Sequence, residues 1–313
     1  MGEPVRFEGR VVVVTGAAQG MGRSHALELG ARGARVVVND LPERGSAVPE
    51  RAAAVAREIA AAGGEAIAVG ADVSSPRGCE RLVERALSEF GRLDALIANA
   101  GVASAVPVAR LEPAEAERVV GVNLLGAIHL TRAAWPHLAR RGGRIVYISS
   151  AAGLYGAPGF AHYGPSKAGL VSLARVVSLE GAGVGIAANA LAVAALTPMM
   201  EAMLSSAVFA ARSGELEWWR EHMRPELTTP AALWLVHPDC PARGRAFEAR
   251  AGRVAEILLV ETRGYLNPSH TLEDLRDSFA AVEDRSEWWV PEQSSEVARY
   301  ERRLLAELAR QGG

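Results

Sequence analysis

The stretch from Val11 to Gly22, VVVVTGAAQGMG, decides the fold. Its four valines form a continuous apolar run, which is typical of a strand buried on both faces of a parallel sheet. The glycines that follow allow a tight turn and a close backbone approach, and a helical pattern begins at Gly22. A strand, a glycine-rich turn and a helix in this order form the context in which a helix N-terminus binds a pyrophosphate. We therefore expect a dinucleotide site here, with a plain strand–helix turn as the alternative.

The same alternation continues through the first two-thirds of the chain. Strand-like runs are Arg10–Thr15, Arg35–Asn39, Ala66–Gly70, Ala95–Ala98, Arg144–Ser149 and Gly185–Ala192. Helical patterns are Gly22–Ala31, Arg51–Ala61, Cys79–Phe90, Pro113–Ala139 and Tyr163–Glu180. Strands that alternate with helices predict an α/β fold, here a Rossmann-type doubly wound parallel sheet in three α/β/α layers.

The chain after about residue 199 has a less regular pattern. It ends in an amphipathic helical stretch, Ser294–Gln311. We expect a single domain over residues 1–313, in which residues from about 200 to 313 form a substrate lid and a C-terminal helical extension. Five tryptophans of this part either fill a core or an oligomer interface, or line a substrate pocket: Trp218, Trp219, Trp234, Trp288 and Trp289.

Composition narrows the function classes. The formal net charge of −2 over 313 residues shows no electrostatic footprint for nucleic acid or an anionic membrane. Two isolated cysteines, Cys79 and Cys240, do not make a disulfide framework, and no spacing of His, Cys, Asp and Glu suggests a metal site. No secretory signal and no apolar run of about 18 residues is visible, so we expect a cytoplasmic protein without a membrane span.

The second strand ends at Asn39-Asp40, which bears on the choice of cofactor. An acidic side chain there faces the adenosine ribose, accepts hydrogen bonds from its hydroxyls and repels a 2′-phosphate. Gln19 stands where a basic residue would have met that phosphate. These residues predict NAD rather than NADP, although Asp40 could also be a solvated turn residue or a helix cap.

Two later strand ends fit the same cofactor. Asp72 could accept a bond from the adenine amino group, and the backbone of Val73 could also reach the base. Small residues in Asn99-Ala100-Gly101 let the chain pass close to the dinucleotide, while Asn99 could equally be a structural bridge between strands.

The chemistry is expected at Ser150, Tyr163 and Lys167. The four-residue spacing puts Tyr163 and Lys167 on one helix face. A free tyrosine has a pKa of about 10, and a nearby ammonium together with a positive nicotinamide ring favours the phenolate. A phenolate held in this way takes a proton from a substrate hydroxyl while hydride leaves the carbon. Ser150 would hydrogen-bond the substrate oxygen.

These motifs together resemble the short-chain dehydrogenase/reductase family. The resemblance is carried by Thr15–Gly22, Asn99-Ala100-Gly101, Asn123, Ser150 and the Tyr163/Lys167 pair. It implies an Asn-Ser-Tyr-Lys active site in which Asn123 holds a relay water and Lys167 binds the nicotinamide ribose. It also implies that Thr197 contacts the carboxamide. The residues expected at the cofactor are Gly16, Gln19, Gly20, Met21, Gly22, Asp40, Asp72, Val73, Asn99, Ala100, Gly101, Tyr163, Lys167 and Thr197.

The chain departs from the family pattern beside the nicotinamide. The usual Pro-Gly after the sixth strand reads Val193-Ala194, in the loop that borders the nicotinamide and the substrate. Tyr155 and His162 are further candidates for substrate contact, besides Ser150 and Tyr163. For His162 and for His25 we favour a structural role.

The stretches Val36–Leu41, Thr131–Trp135 and Ser149–Gly156 carry a narrower resemblance within the family, to dehydrogenases of 3-hydroxyacyl-CoA and of hydroxysteroids. It implies an NAD-dependent oxidoreductase of lipid metabolism that works as a homodimer or homotetramer. Two alternatives stay open: a ketoreductase of another small-molecule pathway, and an NAD-sensing regulator without catalysis. A pure sensor has no need for Asn123, Ser150, Tyr163 and Lys167 together.

Overall fold

The computed structural model describes residues 3–42, 48–204 and 216–311, and these divide into two compact units. The first unit is Met1–Glu256 and the second is Ile257–Gly313. Residues 205–215 of the expected lid lie outside the described residues. No helix in the described residues is both long enough and apolar enough to cross a membrane.

The first unit is built on one sheet of eight strands, whose spatial order is β3-β2-β1-β4-β5-β6-β7-β8. The strands are β1 Val11–Val14, β2 Arg35–Asp40, β3 Glu65–Gly70, β4 Ala95–Ala98, β5 Arg144–Ser150, β6 Ala187–Val193, β7 Ala246–Arg250 and β8 Arg253–Ile257. Neighbours from β3 to β7 pair in parallel. The strand order reverses between β1 and β4, and ligands bind at such a switch point, outside the carboxyl ends of the strands. The predicted doubly wound sheet is confirmed.

Strands β7 and β8 are additions that the hydrophobic pattern did not predict. They are joined by a two-residue turn of Ala251 (φ 48°) and Gly252 (φ 76°). Two positive φ values in a two-residue connection are the signature of a tight hairpin, so β8 runs antiparallel to β7. The sheet is therefore mixed at this edge.

Helices cover both faces of the sheet. Those of the first unit are α1 Gly20–Ala31, α2 Glu50–Ala61, α3 Pro76–Phe90, α4 Pro113–Val120, α5 Gly126–Leu138, α6 Ala151–Tyr155, α7 Tyr163–Gly181, α8 Pro198–Leu204, α9 Leu216–His222 and α10 Thr229–Val236. Helices α1, α2 and α10 pack together on one face, and α3, α5 and α7 lie on the other. All four valines of β1 are fully buried between these layers. Burying one such side chain contributes roughly 1.5–3 kcal/mol, which explains why this stretch anchors the fold.

The predicted helix Pro113–Ala139 is wrong as a single helix. One wide π turn, Gly121–Leu125, separates α4 from α5. The turn holds Asn123, which is buried. Such π turns cluster at functional sites, and a hydrophobic period does not reveal one because it shifts the helix face by only one residue.

The second unit contains α11 Leu272–Asp277, α12 Phe279–Val282, α13 Ser294–Gln311, and a two-stranded ribbon of β9 Glu261–Thr262 and β10 Trp288–Trp289. The ribbon is antiparallel and pairs Trp288 with Thr262. Trp289 stacks on Tyr300 of α13 at a ring distance of 4.6 Å. Helix α13 has the bounds that the sequence predicted.

Candidate active site

The glycine-rich turn between β1 and α1 leaves no room for side chains. Gly16 and Gly20 have φ values of 61° and 56°, in the left-handed region that favours glycine. A Cβ atom on Gly22 would lie 2.3 Å from the carbonyl oxygen of Gly16. The turn therefore exposes backbone N–H groups at the start of α1, which is the arrangement that a pyrophosphate requires.

Asn99 fastens this turn to the end of β4. Its Nδ2 donates to the carbonyl oxygens of Thr15 (2.8 Å) and Gly16 (3.1 Å). In return, Thr15 Oγ1 accepts from the backbone N–H groups of Asn99 and Ala100, both at 3.0 Å. The side chain of Asn99 is thus the structural bridge between strands that the sequence left as one of two alternatives.

Asp40 is fixed at the end of β2 by backbone donors. Its Oδ2 accepts from the N–H of Ala18 (3.0 Å), and its Oδ1 accepts from the N–H of Leu41 (2.8 Å). The carboxylate therefore lies against the glycine-rich turn, and the turn-residue alternative does not account for the bond to Ala18.

A cation that the sequence analysis missed lies at the same end. Arg51, in the first turn of α2, donates from Nη1 to Gln19 Oε1 at 2.9 Å. Gln19 was read as a sign that no basic group meets the ribose, but α2 supplies one from a different part of the chain. Only the packing of α2 beside the turn reveals this contact.

At the end of β3, Asp72 is partly engaged. Its Oδ1 accepts from the backbone N–H of Ser74 at 2.9 Å and from the Ser74 hydroxyl at 2.7 Å. Asp72 and Val73 both line the crevice described below.

The reaction end is formed by β5 and the first turns of α7. Ser150 is the last residue of β5, and Tyr163 and Lys167 lie one turn apart on α7. Lys167 is buried and donates from Nζ to the carbonyl oxygen of Ile148 at 2.8 Å, and Nζ lies 5.9 Å from the centre of the Tyr163 ring. Ser150 Oγ accepts from the N–H of Ala152 at 3.3 Å and is also hydrogen-bonded to Tyr163.

Burial controls the protonation of this pair. Burial raises the pKa of Tyr163, and the hydrogen bond from Ser150 opposes that rise. Burial also lowers the pKa of Lys167 to about 8. The sequence-based expectation of a phenolate includes the positive nicotinamide ring; in the protein alone, the desolvation of the phenolate outweighs the hydrogen bond from Ser150. A neutral phenol is the form that donates a proton to a carbonyl oxygen.

Lys167 is the only lysine among the 34 lysines and arginines of the chain. A guanidinium stays protonated at any ordinary pH, whereas a buried amine shifts its pKa readily. This isolated lysine is a sequence signal for the site that the motif reading did not use.

Asn123, in the π turn, holds the backbone next to the reaction end. Its Oδ1 accepts from the N–H of Val102 (2.8 Å), and its Nδ2 donates to the carbonyl oxygen of Val102 (3.0 Å) and to Ser166 Oγ (3.2 Å). A Cβ on Gly101 would lie 3.2 Å from both Asn123 Oδ1 and Lys167 Nζ. The relay water that the resemblance implies for Asn123 stays a prediction.

One crevice along the carboxyl edge of the sheet brings most of the predicted residues together. Those that line it are Gly16, Gln19, Met21, Gly22, Asp40, Asp72, Val73, Asn99, Ala100, Gly101, Ser150, Tyr163, Lys167 and Thr197. Gly20 and Asn123 are not among its lining residues but support them. Three methionines that sequence reasoning did not single out also line it: Met199, Met200 and Met203 of α8.

Tyr155 is not brought to the crevice. It ends α6 and its side chain is 70% exposed. It is not among the residues that line the crevice, so its expected substrate contact has no support in this geometry. His162 is buried instead of exposed to the crevice, and its partners are described below.

The comparisons with known proteins identify the family of the chain. Residues 10–207 match the short chain dehydrogenase family. The chain belongs to that family. It is 34% identical over 291 residues to peroxisomal multifunctional enzyme type 2 of Mus musculus, which covers 91% of this chain and 38% of the mouse protein. It is 35% identical to an uncharacterized NAD-dependent oxidoreductase of Mycobacterium tuberculosis, covering 74% of this chain and 90% of that protein.

A solved structure has the same architecture. Full-length peroxisomal multifunctional enzyme type 2 of Drosophila melanogaster superposes with a TM-score of 0.77 at 29% identity, over 97% of this chain and 51% of that one. The chain thus spans between 29% and 64% of the length of the multifunctional relatives it matches. Family membership makes the protein an oxidoreductase with a small-molecule substrate, and the crevice fits the nicotinamide dinucleotide that this family uses.

Proposed function

We propose that the chain is an NAD-dependent dehydrogenase that interconverts a secondary alcohol and a ketone by hydride transfer. The observation that carries the proposal is a single crevice with two complementary ends. One end holds the glycine-rich turn and Asp40, and the other holds Ser150, Tyr163 and Lys167. A bound nicotinamide ring would supply or accept the hydride.

The side chains at the reaction end have distinct roles in this proposal. Ser150 donates a hydrogen bond to the substrate oxygen and stabilises the charge that develops on it. The Tyr163 hydroxyl gives its proton to that oxygen in ketone reduction and takes it back in alcohol oxidation. Lys167, whose ammonium predominates below a pKa of about 8, stabilises negative charge on the phenol oxygen and binds the ribose hydroxyls.

The preference for NAD rests on Asp40. Its carboxylate lies against the turn that binds the pyrophosphate and would repel a 2′-phosphate. At about 4 Å and an effective dielectric constant of about 20, that repulsion is roughly 4 kcal/mol, and half of it still rejects NADP more than tenfold. Arg51 works in the other direction, but its contact is to the exposed Gln19. We therefore propose that Asp40 dominates.

The proposed substrate is a 3-hydroxyacyl-CoA, with a hydroxysteroid as the second class. The apolar side chains of Met199, Met200 and Met203 border the crevice and can adapt to a chain of variable shape. The relatives named as multifunctional enzymes support the acyl-CoA class. A homodimer or homotetramer and a cytoplasmic location remain predictions, and several relatives are named as peroxisomal.

The test is a substrate panel with the purified chain. 3-Hydroxybutyryl-CoA, a long-chain 3-hydroxyacyl-CoA, a hydroxysteroid and simple secondary alcohols are each incubated with NAD or NADP, and NADH or NADPH absorbance is followed. We expect turnover with NAD and the long-chain thioester. Turnover of small alcohols alone would favour a ketoreductase of another pathway. Binding of NAD without turnover on any of these substrates would contradict the proposal and favour a sensor.

A further inference from the structure

A chain of four hydrogen-bonded side chains ends directly beside Tyr163. His162 is 97% buried, and its Nε2 lies 2.8 Å from Ser104 Oγ. The Ser104 hydroxyl donates to Glu115 Oε1 at 2.5 Å. Glu115, on α4, receives two bonds from Arg118, each 2.8 Å long. We call these four residues the α4–α7 tether, because they join the first turn of α4 to the residue that precedes α7.

Proton counting fixes the tautomer of His162. Arg118 and Ser104 lower the pKa of Glu115 to about 2, so its carboxylate only accepts hydrogen bonds. The Ser104 hydroxyl has one proton and gives it to Glu115. His162 must therefore donate from Nε2–H to Ser104 Oγ, and its Nδ1 is the bare acceptor. Among the described residues, Nδ1 is buried without a hydrogen-bond partner.

The tether acts on residues 102–106, the segment that follows β4. This segment is fastened at its start, where Val102 pairs with Asn123, and at its end, where the Val106 N–H donates to the carbonyl oxygen of Gly159 at 2.9 Å. Ser104 is the middle point. Val102 lines the crevice, so a displacement of the segment reaches the active site.

The same contact also bears on the first turn of α7. His162 immediately precedes Tyr163, and the N–H of Gly164 donates to Phe160 at 2.8 Å. Ser166 donates to the carbonyl oxygen of Tyr163 at 2.7 Å and accepts from Asn123. Ser166 follows Tyr163 along the chain and connects it to the π turn. The tether instead starts at the residue before Tyr163 and connects it to α4.

We propose that His162 is a positioning residue for the reaction. Through Ser104 and Glu115 it keeps residues 102–106 and the helical turn that carries Tyr163 in fixed positions relative to each other. This rests on the proposed function, because the phenol of Tyr163 must meet the substrate oxygen. His162 needs no contact with substrate. An apolar residue of similar size would fill the space but would leave the Ser104 oxygen without its donor.

The experiment compares Ser104→Ala, His162→Leu and His162→Gln with the native chain. Glutamine carries an N–H donor near the position of the imidazole Nε2, so it is the conservative variant. The matched control is His237→Leu, which removes another buried histidine that does not line the crevice and whose Nε2 lies 3.0 Å from the Arg6 carbonyl oxygen. Two readouts are taken: amide hydrogen exchange in the free protein, and kcat with KM for NAD.

We expect amides of residues 102–106 to exchange about fivefold faster in Ser104→Ala and His162→Leu, the effect of one lost hydrogen bond. We expect kcat to fall about tenfold while KM for NAD stays within about twofold, because a misplaced proton donor slows the chemical step and leaves the cofactor end intact. His162→Gln should restore most of both. His237→Leu should lower Tm without either change.

Unchanged exchange in residues 102–106, or a loss of kcat no larger than in His237→Leu, would overturn the proposal. If His162→Leu does not fold, Ser104→Ala decides alone, since it removes one hydroxyl group. If the native chain transfers no hydride to any substrate, the proposed function has failed, and the exchange data still decide whether the tether holds the segment.

Discussion

The two ends of the crevice are built by opposite means. At the cofactor end the site consists of backbone and of missing side chains: the glycine-rich turn leaves hydrogen atoms where any Cβ would collide. At the reaction end it consists of side chains whose pKa values burial has shifted, Tyr163 and Lys167. The glycines of the cofactor end cost conformational entropy on folding, and the buried ionisable groups of the reaction end cost desolvation free energy. Mutations at the cofactor end should therefore impair cofactor binding, and mutations at the reaction end should impair the chemical step or change its pH dependence.

Tyr163→Phe gives the largest expected effect. It removes the hydroxyl that we propose exchanges a proton with the substrate, so kcat should fall about a thousandfold, while the affinity for NADH, measured by fluorescence titration, stays within about twofold. The matched control is Tyr147→Phe, which removes another buried tyrosine hydroxyl, bonded to Thr131 at 2.7 Å. It should cost stability but not kcat. Equal loss in both variants would mean that the phenol of Tyr163 is structural.

Gly22→Ala tests the opposite end. The new methyl group would meet the Gly16 carbonyl oxygen at 2.3 Å and Asn99 Nδ2 at 2.6 Å, so the turn must shift. We expect NADH affinity to fall about a hundredfold with the fold retained by circular dichroism. Gly183→Ala is the control, because a Cβ there meets nothing within 4 Å. Unchanged NADH affinity in Gly22→Ala would show that the dinucleotide does not lie on this turn.

Lys167→Met separates function from stability. Burial lowers the pKa of Lys167 from 10.5 to about 8, which costs the folded state about 3 kcal/mol at pH 7. Losing the hydrogen bond to Ile148 destabilises the variant by about 1 kcal/mol and so offsets part of that gain. In urea denaturation at pH 7, the free energy of unfolding of the variant should therefore be about 2 kcal/mol higher than that of the native chain. Turnover is lost.

The pH dependence of that difference has a definite sign. Between pH 8 and 10.5 the folded native chain has released the proton that the unfolded chain still holds, so native stability rises with pH and the advantage of Lys167→Met disappears. Because Lys167 is the only lysine, a sample labelled with ¹⁵N-lysine should show one side-chain amine whose titration midpoint is about 8. A midpoint at or above 10 would contradict the burial argument.

Asp40→Ser gives the smallest effect and sharpens the cofactor end. Removing the carboxylate should raise kcat/KM for NADP relative to NAD about tenfold, because the repulsion of the 2′-phosphate is lost. Adding Arg51→Ala to this variant should reverse part of the gain if the guanidinium beside Gln19 reaches that phosphate. A ratio unchanged by Asp40→Ser would place the adenosine ribose elsewhere.

The sequence predicted six of the eight strands of the sheet and missed β7 and β8 at one edge. Six strands were placed within two residues at each end because buried parallel strands read as short β-branched runs with clear boundaries. Strand β7, Ala246–Arg250, was missed because it carries Glu248 and Arg250 and lacks such a run. The Ala251-Gly252 turn after it was the available signal, since glycine in a short connection marks a hairpin.

At the site, too, features that depend on local sequence were predicted, and contacts between residues distant along the chain were not. Ser150, Tyr163 and Lys167 were predicted together because their spacing is local and their chemistry is specific, and the structure brings them to one crevice. Arg51 beside Gln19 and Ser104 beside His162 were not, because each contact joins residues 32 or 58 positions apart. Tyr155 was expected at the substrate from its position between Ser150 and Tyr163, yet α6 leaves it exposed.

The amino-acid sequence by itself determined the order of strands and helices, the turn that must lack side chains, and the identity of the proposed proton-transfer pair, because these depend on local periodicity and on residue chemistry. Only the tertiary structure decided how that pair is protonated and which residues hold it in place. Desolvation and hydrogen bonding depend on what surrounds a group in space, and the groups around Tyr163 and Lys167 come from β5, the π turn and α4, which are distant along the chain.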